Sequence, residues 1–118
     1  MKASTLVLRS RLMGKIMKYN KLVRDRIPEI IRKKGEVAIT HTASKKEYWE
    51  KLKEKLGEEV DEFFEDGSDS KDEIIDILEI VYAICDFKKI DKKRLETLRK
   101  KKAKERGGFK KRIILDES

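Results

Sequence analysis

An all-α fold is what this sequence predicts, and three observations carry the prediction. From Lys45 to Glu65, Leu52, Leu56, Val60, Phe63 and Phe64 recur at steps of three and four, so at about 100° per residue they form one stripe on a helix. From Lys71 to Phe87, Ile74, Ile75, Ile77, Leu78, Ile80, Val81, Tyr82, Ala83, Ile84 and Cys85 leave almost no polar side, the pattern of a buried helix. Between them Asp66-Gly67-Ser68-Asp69-Ser70 has the composition of a turn, and so short a link makes the two helices antiparallel neighbours. The expected architecture is a helical bundle built around this pair and completed by oligomerisation.

The remaining elements follow in chain order. Residues 1–16 are basic without a single acid, and Met17 reads as a second start, so an appended, dispensable extension is expected before one domain spanning 17–118. From Lys21 to Lys34, Leu22, Val23, Ile27, Ile30 and Ile31 predict a short amphipathic helix interrupted near Pro28. Asp25 is the expected cap and Gly35 the stop. Glu36 to Ser44 reads as a loop or short extended piece holding His41, the one histidine, which is expected to be solvated. Ser44 with Glu47 forms a capping box opening the first long helix, on which Tyr48 and Trp49 are expected as core or dimer contacts. Ser70 or Asp69 caps the second. Asp91 caps a third from Lys92 to Lys104, whose strong apolar anchors are Leu95 and Leu98, so it should pack edge-on or against another subunit. Gly107-Gly108 ends it, and Ile113, Ile114 and Leu115 are expected to dock.

Composition narrows the function classes. Charged residues make up 46% of the 118, but the 38% that are apolar are clustered periodically, which marks a folded chain and not a disordered one. Cys85, the one cysteine, rules out a disulfide scaffold and sits in the most apolar segment as an expected buried thiol. No run of 18 apolar residues exists to span a membrane, and Leu6-Val7-Leu8 is too short for a signal core, so a cytoplasmic protein is expected. The net charge of +8 conceals a strong division. Residues 1–57 carry +10, 58–86 carry −11 and 87–112 carry +11. An acidic centre between basic arms suits a cation held by carboxylates with basic side chains on an anionic ligand; the same arms could contact nucleic acid.

The chemistry concentrates in two acidic clusters, Glu58-Glu59-Val60-Asp61-Glu62 and Glu73-Ile74-Ile75-Asp76. Glu59 falls inside the apolar stripe, Glu58 and Glu62 lie one turn apart along its edge, and Glu73 and Asp76 are adjacent on one face of the next helix. A carboxylate drawn inward must be neutralised, paired or bound to a metal. Two antiparallel helices presenting these acids to each other offer four or five oxygen donors, which suits Mg²⁺ or Mn²⁺. Against this stands the plain reading of a solvated acidic face with Glu73 and Asp76 decorating a helix start. The apolar neighbours of Glu59 and Asp76 weigh against it.

Glu58-Glu59-x-x-Glu62 followed by Glu73-x-x-Asp76 resembles the EExxE…ExxD signature of the all-α nucleoside triphosphate pyrophosphohydrolase superfamily, which includes the MazG proteins and phosphoribosyl-ATP pyrophosphatase. Tyr19-Asn20-Lys21-Leu22-Val23-Arg24-Asp25-Arg26-Ile27-Pro28-Glu29 and Arg106-Gly107-Gly108-Phe109 resemble the ends of a small MazG-like subfamily, so the likeness runs from about Met17 to Leu115. It implies hydrolysis between the α- and β-phosphates of a nucleoside triphosphate with Mg²⁺ as cofactor, Mn²⁺ being possible. Glu59, Glu62, Glu73 and Asp76 would be metal ligands, and Glu58 or Glu59 the base. Lys21, Arg24, Lys104 and Arg106 are the candidates to bind the polyphosphate. A homodimer or homotetramer is implied, without membrane contact. Hydrolysis of phosphoribosyl-ATP is the alternative enzymatic reading, and a basic nucleic-acid-binding protein the disfavoured non-enzymatic one.

Overall fold

The computed structural model describes residues 18–65 and 70–118, and every regular element among them is α-helical. The helices are α1 (Ile27–Lys33), α2 (Lys45–Glu65), α3 (Lys71–Lys88) and α4 (Lys92–Arg106). The chain divides inside α3, after Val81, into two compact units. The expectations for residues 1–16 and for the turn at 66–69, with Asp69 as cap, lie outside the described residues.

In the first unit α1 starts without the expected Asp25 cap: Arg26 holds the N-cap position and its side chain makes no capping hydrogen bond. Pro28 in the first turn brings no N–H to be satisfied, and the Ile27 N–H donates to the Arg24 carbonyl at 3.0 Å, so little is left for a cap to do. The other end closes as expected at Gly35. Its φ of +78° is one that glycine adopts freely, and the N–H groups of Gly35 and Glu36 return to the carbonyls of Arg32 and Ile31, a Schellman closure. Residues 36–44 form no helix or strand. At the start of α2 the Ser44 hydroxyl accepts the Glu47 N–H at 3.2 Å, the forward half of the capping box. The Glu47 carboxylate turns instead to His41, whose exposed ring nitrogen Nε2 lies 3.0 Å from Oε1. Leu52 on α2 is fully buried and Ile27 on α1 is buried, while Leu22, Val23, Ile31, Leu56 and Val60 are half-buried.

Helix α3 corrects one expectation. Cys85 is the buried thiol that the sequence predicts, but it is the helix's one buried residue, and Ile74, Ile75 and Leu78 are about half exposed. Apolar residues on every side show that a helix needs neighbours all round; they do not show that its own chain supplies them. In the second unit α3 ends in another Schellman closure, with the Ile90 N–H on the Cys85 carbonyl and Lys89, not glycine, at a φ of +58°. Asp91 then caps α4 as expected, accepting the Lys93 N–H at 2.9 Å. Lys92 donates to Asp86 at 2.7 Å, which raises the ammonium's pKa, and its Nζ lies 5.5 Å from the centre of the Tyr82 ring. Leu95 and Leu98 are exposed, as is the tail at Ile113, Ile114 and Leu115, which therefore does not dock as expected. Two leucines on a helix dense in lysine and arginine give it no apolar surface to seat on.

Candidate active site

The segment before α1 brings the two acidic motifs under one influence. Lys21 Nζ lies 2.7 Å from Glu58 Oε1, and Arg24 donates from Nη2 to Asp76 Oδ1 at 2.8 Å. Two side chains three residues apart thus reach a carboxylate on α2 and another on α3, and all these groups belong to the first unit. Such partly exposed pairs contribute about 0.2–1 kcal/mol each, too little to hold a fold, so their main effect is to fix charge beside the acids.

Glu59 behaves as its place in the stripe predicts: it is only 2% exposed, the one charged residue buried among those described. Lys55, one helical turn earlier, brings its ammonium to 4.0 Å from Glu59 Oε1 and 3.9 Å from Glu58 Oε2. Glu62, Glu73 and Asp76 are half-buried, whereas Asp61 and Glu65 face water. The plain reading therefore holds for Asp61 and Glu65 and fails for Glu59. Among the described residues no three His, Cys, Asp or Glu side chains are gathered closely enough to cage an ion. Arg24 occupies Asp76, one of the acids that would have to converge, and Lys21 occupies the neighbouring Glu58. In kind the donors fit a hard divalent cation, since every candidate ligand is a carboxylate and one of them is carried into the protein interior. Lys104 and Arg106 stand exposed in the last turn of α4, in the second unit.

One feature of the site is absent from the sequence reading. Beside the Lys21–Glu58 pair runs a groove of about 540 Å³, lined by Tyr19, Asn20, Lys21 and Leu22 on one side and by Lys51, Glu54, Gly57, Glu58 and Asp61 of α2 on the other. Gly57 was the legible signal, because an isolated glycine inside a helical pattern costs roughly 1 kcal/mol against alanine and calls for a reason.

No family model and no solved structure matches the chain. A stretch of 41 residues is 56% identical to an uncharacterised protein of Mycolicibacterium smegmatis (strain ATCC 700084 / mc(2)155). The match takes in 35% of this chain and 42% of that relative's length.

Proposed function

We propose that this chain is a metal-dependent nucleoside triphosphate pyrophosphohydrolase that releases a nucleoside monophosphate and pyrophosphate. The observation that supports it best is the burial of Glu59 at 2% exposure within the EExxE motif, with basic side chains from one short segment on Glu58 and on Asp76 of the ExxD motif. A solvated acidic face has no reason to bury its central carboxylate.

On this reading Glu59, Glu62, Glu73 and Asp76 would hold Mg²⁺ or Mn²⁺, and the ion would supply charge neutralisation for the phosphates and a more acidic water. Glu58 accepts the proton of the attacking water, within reach of Lys21. Lys21 and Arg24 exchange their carboxylate partners for phosphate oxygens when the substrate enters, Arg24 offering a two-pronged donor. The acid helices pack antiparallel, and a second or further copies of the chain cover Ile74, Ile75 and Leu78, making a homodimer or homotetramer.

The test is pyrophosphate release from a panel of ordinary and modified nucleoside triphosphates and phosphoribosyl-ATP, with and without Mg²⁺ or Mn²⁺. Metal-dependent release that falls at least ~10²-fold in Glu59→Gln, with helicity unchanged, supports the reading. Release from none of them counts against it. The predominantly basic, largely exposed surface of α4, with nine Lys or Arg against Glu96 and Glu105, favours one rival, a nucleic-acid contact. That rival predicts DNA or RNA binding that weakens steeply with salt, and no pyrophosphate.

A further inference from the structure

We infer that the groove over Gly57 receives the nucleoside end of the substrate, its base and sugar, while the phosphates leave the groove at Lys21. The inference rests on the pyrophosphohydrolase reading and adds the place where one nucleotide is told from another.

Gly57 is the reason to look here. Glycine is the poorest helix former after proline, yet it stands in the middle of the 21-residue α2. Its backbone does not require it, because only Gly35 and Gly107 among the described glycines have positive φ. Packing does not require it either: a Cβ built at Gly57 meets no heavy atom within 4 Å. Instead Gly57 lines a groove of about 540 Å³, of the size that small-molecule sites have.

The lining decides which part of a nucleotide fits. Lys21 is engaged by Glu58 at 2.7 Å and Lys51 by Glu54 at 3.3 Å, and Asp61 adds a carboxylate. Three acids against two ammonium groups leave the groove slightly negative, which disfavours a phosphate and favours a neutral group rich in hydroxyls. Carboxylates accept hydrogen bonds from sugar hydroxyls, the Asn20 amide offers both donors and an acceptor to a base edge, and Tyr19 offers a flat ring. Lys21 belongs both to the groove and to the acid cluster, so a ligand lying in the groove has its charged end at the proposed reaction centre.

The experiment is a titration of the full-length protein with the four common nucleoside monophosphates, followed by backbone amide NMR, alongside the hydrolysis assay. Gly57→Ala, Gly57→Met and Asn20→Ala are compared with wild type. At least one monophosphate should shift the amides of Asn20, Gly57 and Asp61. Gly57→Met should weaken that binding and raise KM at least ~10-fold, with kcat little changed. Gly57→Ala should raise Tm by restoring helix propensity, which shows that the fold tolerates a side chain there. If wild type hydrolyses a nucleotide but no monophosphate shifts the groove amides, or Gly57→Met leaves KM unchanged, the inference is overturned and the hydrolase reading stands. If monophosphates bind in the groove and Gly57→Met removes them while no nucleotide is hydrolysed, the groove is upheld and the hydrolase reading falls.

Discussion

Glu59 sits where a leucine would be the stabilising choice. It shares an apolar stripe with Leu52, Leu56 and Phe63, and an ionised carboxylate withdrawn from water costs several kcal/mol unless cations or donors offset it. Replacing a buried ion pair on both sides by apolar residues of similar size is often neutral or stabilising, whereas removing one partner leaves the other uncompensated, and Lys55 lies 4.0 Å from Glu59. Glu59→Leu combined with Lys55→Met should therefore raise stability to urea by roughly 1–2 kcal/mol while abolishing pyrophosphate release. A loss of stability with activity retained would assign Glu59 a purely structural place. Glu29 provides a check on the ordinary surface charges. Lys33 first, then Arg26, hydrogen-bond its carboxylate and lower its pKa. A lowered native pKa means that its contribution to stability is present above the ordinary carboxylate range and is lost as pH falls through the native value. In Lys33→Met the Glu29 pKa, followed by side-chain carboxyl NMR, should move back up towards 4.5.

The helices are largely readable from their ends. Ser44, Asp91, Gly35 and Gly107 each stand within two residues of a boundary, because capping and left-handed closure are local chemistry that short spacing reveals. Lys89 was not readable, since lysine gives no sign of a positive φ. Replacing it by glycine removes that strain, so Lys89→Gly should stabilise the second unit by about 1 kcal/mol in thermal unfolding. No change would mean that Lys89 leaves this conformation in solution. The exposure of α3 was hidden for a different reason: periodicity reports that a face is apolar and not what covers it. The acid positions of the candidate site were legible because two motifs lie close in sequence. The pairs Lys21–Glu58 and Arg24–Asp76 were not, because residues 37 and 52 apart can be matched only by the fold.

At the scale of the molecule, the buried apolar residues among those described are Ile27, Leu52 and Cys85, a small core for a chain of this length. Meanwhile Ile74, Ile75 and Leu78 show an apolar strip on α3. If a second copy covers it, Leu78→Glu should shift the mass measured by light scattering from an oligomer to the 13.9 kDa monomer; wild type that is already monomeric would remove this expectation. The proposed chemistry depends above all on carboxylates from two helices taking one divalent ion. Mn²⁺ titration followed by electron paramagnetic resonance reads that directly, without any substrate. Wild type should remove the free-ion signal at a stoichiometric site, and both Glu59→Gln and Asp76→Asn should lose that binding while keeping their helicity. Free Mn²⁺ throughout the wild-type titration, or equal binding by all three proteins, would mean that these acids do not form the metal site.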